Sequence, residues 1–210
     1  MKVFDYLYPI RQSRISNEEF NRLFSGFSSD FLLFTSDVDE IPKSRFLHLL
    51  KSCGIPQRFR PILLQCDDYY YSFEFLSSSS PFMPGATLTR FHAYQTIPSD
   101  IRTARLHYRP IHGVCFHCSY CFDRVELVRL KLSSFSHTEL DRDRYRDVQY
   151  ILDRFQYGKN LFYRLKKPYR RSSINEIELP RLLQVKHERE RFRYMLNRSS
   201  MINAGFRDVQ

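Results

Sequence analysis

The sequence predicts an α/β fold, and three observations in its first 54 residues carry that expectation. A helix signal comes first, then a short wholly apolar strand ending in a cluster of carboxylates, then a second helix signal. In the first, Ser16 followed by Glu19 forms a capping box, and Phe20, Leu23, Phe24 and Phe27 keep helical spacing to the Gly26 region. The second is "FLLF" at 31–34, which reads as a strand buried on both faces. In the third, Pro42 suits the first turn of a helix, Phe46, Leu47, Leu49 and Leu50 give it an apolar face, and Gly54 closes it. This order places Asp37, Asp39 and Glu40 at the carboxyl end of a strand, the edge at which open α/β sheets bind ligands.

Further along, "PILLQC" (61–66) and "YYYSFEF" (69–75) read as two strands, separated from the next by a loop over 77–85, "SSSSPFMPG". Strand-like segments follow at 86–94, 102–108 and 113–118. Helices are expected over 142–156 and 180–197, with an irregular basic and aromatic stretch from Lys159 towards 173. No internal repeat and no second linker-bounded domain is visible.

The bulk composition is globular, with 42% hydrophobic residues, and 14 Tyr and 19 Phe supply all the aromatic content because Trp is absent. The net charge of +10 is unevenly spread. Residues 1–100 hold 10 cationic against 11 acidic side chains, and residues 101–210 hold 23 against 12. A basic second half suits phosphate-bearing ligands, acidic surfaces or nucleic acid without choosing among them. No apolar run approaches the roughly 20 residues that span a bilayer. The opening "MKVFDYLYPIRQSR" lacks both the apolar core and the cleavage site of a signal peptide.

Three like charges within four residues repel one another, so the acidic cluster asks for a cation, a basic neighbour or full solvation. Asp37 and Asp39 offer hard oxygen ligands for Mg2+ or Mn2+, which in turn holds a diphosphate; a solvated turn capping the next helix is the plainer alternative. Cys115, Cys118 and Cys121, with His112 and His117 nearby, have three readings: zinc ligands, a disulfide, or small buried thiols on a half-buried strand. Cys53 and Cys66 stand apart, and the odd count leaves a thiol over. In "SSFSHTELD" (133–141), His137 and Glu139 could serve as acid/base or cation ligands, or Ser136 or Thr138 could simply cap a helix. The basic run Lys159–Arg171, interleaved with Phe162, Tyr163 and Tyr169, could bind single-stranded nucleic acid or be a solvated face; no nucleic-acid fold signature accompanies it, so no nucleic-acid partner is expected.

Taken in order, "SDVDEIP", "CGIP", "YYYSFEF", "HCSYCF", "KLSSFSHTELD" and "LPRLLQVKHERERFRYML" resemble glycosyltransferase family 17, over about residues 20–197. "DVDEIP" and "HCSYCF" are the most specific pieces, with Tyr120 standing where the family's animal enzyme has tryptophan. The resemblance implies a GT-A-like fold in a single domain over 1–197, followed by a tail over 198–210. It implies transfer of N-acetylglucosamine from a UDP-N-acetylglucosamine donor to the β-linked mannose of an N-glycan acceptor, with inversion. Asp37 and Asp39 would hold a divalent cation, Mn2+, against the donor diphosphate. Glu40, Glu74 and Glu139 are unranked candidates for the base, with His137 beside them, and His117 and Tyr70 would line the substrate site. The family also implies a Golgi location, although this chain shows no membrane segment. Only 36 residues precede Asp37, too few for the amino-terminal nucleotide-binding strands of the family, so a partial fold is expected. A different acceptor, or a binding relative without turnover, stays open beside this reading.

Overall fold

The computed structural model describes residues 22, 32–53, 60–77, 82–90, 104–134, 138–162 and 169–209. The helix expected over 16–26 lies outside them apart from Arg22, as do Gly54, His137 and the centre of the basic run at 163–168. The architecture is mixed α/β. It divides into two compact units, residues 1–66 with 84–115 and residues 67–83 with 116–210.

In the first unit, strand β1 (Leu32–Thr35) runs antiparallel to β5 (Phe82–Arg90), with Leu32 opposite Arg90 and Thr35 opposite Thr87. β5 in turn neighbours β3 (Ile62–Tyr70), and the short β2 (Glu40–Pro42) pairs with β6 (Arg109–Ser119). β1 is half-buried at all four positions rather than covered on both faces. Pro42 ends β2 instead of opening a helix. The Lys43 N–H still bonds the Val114 carbonyl at 2.8 Å, and only at Ser44 does helix α1 (Ser44–Cys53) begin. Phe46, Leu47 and Leu50 turn α1 onto a core of Leu64, Cys66, Ala86, Leu88 and Cys115, while Leu49, expected on that face, points to solvent at 59% exposure.

A disulfide between Cys66 and Cys115 sits in this core, both residues being fully buried, so Cys66 does not stand apart. Gly85 is there because nothing larger fits. A Cβ added to it would lie 2.1 Å from the Cys66 sulfur and 3.0 Å from the Leu64 carbonyl oxygen.

In the second unit β4 (Ser72–Leu76) lies between the end of β3 and β7 (Arg170–Arg171), antiparallel to each. The expected strand over 69–75 is thus broken at Tyr71, which takes a left-handed backbone (φ 66°). Its ring is buried against Phe155 at 4.0 Å and its hydroxyl donates to the Lys159 carbonyl at 2.9 Å, contacts that offset the strain of that conformation. Helix α2 (Val125–Ser134), not foreseen from sequence, buries Val125, Val128 and Leu132 at helical spacing. Its amino terminus is capped from far along the chain by Asp208, which accepts the N–H groups of Val125 and Glu126 at 2.8 and 3.0 Å. Burial works to raise the Asp208 carboxyl, but those donors outweigh it and hold it below its usual value.

The helix expected over 142–156 is interrupted. α3 (Asp143–Arg146) stops where Asp147 turns extended, and Asp147 then caps α4 (Val148–Tyr157) by accepting the Tyr150 N–H at 2.7 Å. α4 ends at Gly158, whose left-handed φ of 62° and approach to the Phe75 ring leave no room for a side chain. The helix expected over 180–197 is likewise a 3-10 turn (Arg181–Gln184), α5 (Lys186–Arg191) and a second 3-10 turn (Arg193–Met195). The segment expected as a strand over 102–108 contains a 3-10 turn at Arg105–His107.

Residues 198–209 are not a loose tail. Ala204 and Phe206 join the core of Tyr71, Val128, Ile151 and Phe155, and Arg198 is fully buried within the same unit. Its guanidinium donates to the carbonyls of Tyr71 (3.0 Å), Ala204 (2.6 Å) and Phe122, and lies over the rings of Phe155, Tyr194 and Phe206. Burial pushes its pKa down to about 9, which still leaves it a cation at neutral pH.

Candidate active site

Asp37, Asp39 and Glu40 occupy the turn that links β1 to β2 in the first unit. The turn closes by the Glu40 N–H donating to the Asp37 carbonyl at 3.0 Å. The Glu40 side chain then folds back under it. Its Oε2 accepts the Asp37 N–H at 2.9 Å, and its Oε1 lies 3.5 Å from Arg105 Nη1. Glu40 is 2% exposed, whereas Asp37 is exposed, Asp39 half-buried and the intervening Val38 82% exposed. The three carboxylates are therefore not one solvated cluster. Glu40 is a buried brace, neutralised by Arg105, and it presents the two aspartates outward.

Further ties hold this turn from the β2 side. Arg45, in the first turn of α1, donates to the Gly113 carbonyl at 3.1 Å, and β2 itself is paired to β6. Exposed and half-exposed carboxylates on a braced turn are the hard oxygen donors that Mg2+ or Mn2+ takes. Among the described residues no three His, Cys, Asp or Glu side chains converge as a complete metal-binding set. Mg2+ sites with one or two carboxylates complete their shell with phosphate or water oxygens.

The strand registers defined among the described residues are all antiparallel, so the rule for carboxyl edges of open parallel sheets does not explain this site. The brace does. Glu40→Ala is expected to lower stability by about 1–3 kcal/mol, because it strips the Asp37 N–H and Arg105 of their acceptor. Glu40→Gln should recover part of that loss. Denaturant midpoints equal to that of the parent chain in both variants would refute the brace.

The other expected site residues belong to the second unit. His117, buried on β6, places Nδ1 2.7 Å from Oδ1 of Asp68, which is buried on β3. A carboxylate can only accept, so the imidazole carries its proton on Nδ1. Asp68 was missed from sequence, although a signal existed. By strand alternation it shares the inward face with Cys66, and a buried acid needs a partner. Tyr70 is half-buried and stacks on Tyr169 at 4.2 Å. Glu139 is exposed in a 3-10 turn (Thr138–Leu140) whose Glu139 carbonyl accepts Arg142 Nε at 3.0 Å.

Glu74 is buried on β4. It accepts the Ser199 N–H and hydroxyl at 3.0 and 2.6 Å and the Ser72 hydroxyl at 3.4 Å, with Arg171 3.9 Å away. It nevertheless borders an open depression of about 360 Å3.

In "GVCFHCSYCF" (113–122) the disulfide reading is borne out by Cys118–Cys121, while Cys115 pairs outside the segment. Cys115 and Cys118, three positions apart, fall on opposite faces of β6. Cys115 bonds Cys66 and Cys118 bonds Cys121, which leaves no thiolate in this segment for zinc, and Cys53 is an exposed free thiol. Within the basic run, Lys159 is engaged by Asp153 at 2.6 Å and lies over the Tyr157 ring.

Against known families, the description "Glycosyltransferase family 17" matches residues 8–200. The chain belongs to glycosyltransferase family 17. No curated protein matches it, and no solved structure does. Membership makes it a transferase that moves a sugar from a donor to an acceptor. Among the described residues, no helix of this family 17 chain is long and apolar enough to cross a membrane.

Proposed function

We propose that this family 17 chain transfers N-acetylglucosamine from UDP-N-acetylglucosamine to the β-linked mannose of an N-glycan, in a GT-A-like fold. The observation that carries the reading is the braced turn, with Glu40 inward and Asp37 and Asp39 outward. Asp37 and Asp39 would hold Mn2+ there, and the bound cation would supply Lewis-acid stabilisation of the UDP leaving group. In the transfer the acceptor hydroxyl oxygen bonds to C1 of N-acetylglucosamine as the bond from C1 to the diphosphate oxygen breaks. The electron pair leaves with UDP and the hydroxyl proton passes to a base.

Glu40 is engaged on both oxygens and serves as the brace. Glu74, itself engaged on both oxygens by Ser199 and Ser72, and the exposed Glu139 are the other candidate carboxylates for the proton. His117, oriented by Asp68, and Tyr70, held by Tyr169, line the substrate path on this reading. The setting is the Golgi lumen, an oxidising compartment in which Cys66–Cys115 and Cys118–Cys121 persist.

The test is transfer of radiolabelled N-acetylglucosamine to an N-glycan core acceptor with Mn2+. Glu74→Gln and Glu139→Gln are assayed beside the parent chain. Loss of turnover by about 10^2-fold or more, with donor binding kept, identifies the base. Absence of transfer by a folded parent chain that binds donor would refute this acceptor.

A further inference from the structure

The depression beside Glu74 lies wholly within the second unit. Its polar wall is Glu74, Arg171, Asn175, Arg189 and Asn197, and Leu196 and Ile174 supply an aliphatic surface. Its volume of about 360 Å3 is at the lower end of small-ligand pockets, which run roughly 300–1,000 Å3.

The mixture of groups decides what fits. Two guanidinium groups alone would suit a phosphate, but Glu74 is a buried carboxylate on the same wall and would repel an anion. Arg171 stands 3.9 Å from that carboxylate, which offsets part of its positive charge. Carboxylate and amide oxygens accept, guanidinium and amide N–H groups donate, and an aliphatic patch offers no polarity at all. A ligand that satisfies all three carries hydroxyls that both donate and accept, together with faces of C–H. A neutral sugar does so.

The wall is also built to stay in place. Glu74 is locked by Ser199 and Ser72, and its own carbonyl accepts the Ser172 N–H at 2.7 Å, so the strand end and the segment after β7 move together. Leu196 is buried in the cluster of Phe73, Leu179 and Leu183. Fixed groups lose little freedom when a weakly bound sugar settles on them.

We infer that this depression is a binding subsite for a neutral glycan, with Glu74 and Asn175 taking sugar hydroxyls and Arg189 and Asn197 donating to sugar oxygens. The inference rests on the transferase reading in one respect, that the glycan held is the acceptor.

It is tested by titrating the trimannosyl-chitobiose pentasaccharide into the full chain, followed by saturation-transfer NMR. Asn175→Ala and Arg189→Ala, both exposed positions, are titrated beside it, and inorganic phosphate serves as a competitor. Each substitution should weaken pentasaccharide binding about tenfold. Binding of UDP-N-acetylglucosamine should not change, and phosphate should not displace the sugar. Pentasaccharide binding that both variants leave intact would overturn the inference, as would phosphate displacing it. A chain that binds donor but no pentasaccharide would also overturn it. Pentasaccharide binding that responds to both variants in a chain that binds no donor would support the glycan site and count against the transferase reading alone.

Discussion

Arg198→Met is expected to destabilise the protein by about 3–5 kcal/mol. The side chain is fully buried, and its planar donors satisfy the carbonyls of Tyr71, Phe122 and Ala204, from three separate stretches of the chain. Methionine keeps much of the volume and leaves all three carbonyls without a donor. Each orphaned group costs about 1–3 kcal/mol, and relief from burying a cation returns only part of the sum. Arg198→Lys should recover little, because an ammonium cannot span three acceptors set out for a fork, nor lie flat over Phe155, Tyr194 and Phe206. With no Trp in the chain, tyrosine emission or near-ultraviolet dichroism reports the denaturant midpoint. A loss under about 1 kcal/mol for Met would mean that the buried guanidinium costs as much as it contributes.

The second large effect separates the two disulfides. Cys66 and Cys115 are 49 residues apart, and Cys118 and Cys121 only three. In the chain-entropy account, removing the long closure costs about 4 kcal/mol and the short one about 2 kcal/mol. Packing widens the gap, since Cys66 and Cys115 are fully buried beside Gly85 while Cys118 and Cys121 are half-buried. The double variant Cys66→Ala with Cys115→Ala should therefore unfold well before Cys118→Ala with Cys121→Ala. Equal denaturation midpoints for the two double variants would contradict this ordering.

The features that sequence made legible are the local ones. The apolar strand, the acidic turn and the helix after it are written in consecutive residues, and all three are present, with the helix start moved from Pro42 to Ser44. What escaped depends on partners distant in the chain. The inward turn of Glu40 needs Arg105, and the orientation of His117 needs Asp68. The cap on α2 comes from Asp208, and the fate of Cys115 rests on Cys66. Residues 198–209 looked like a tail because Arg198 among polar neighbours gives no apolar period, yet three backbone carbonyls make its burial possible. Breaks within the expected helices had local signals that helical period overrode, above all Asp147, a good cap in mid-pattern.

The most direct test of the central claim is calorimetric titration of UDP-N-acetylglucosamine into the full chain, with and without Mn2+, beside the double variant Asp37→Ala with Asp39→Ala. The account predicts donor binding that requires the metal and disappears in the variant, while the variant keeps its fold because Glu40 still braces the turn. Donor binding that persists in the variant, or none at all by a folded parent chain with Mn2+ present, would contradict it.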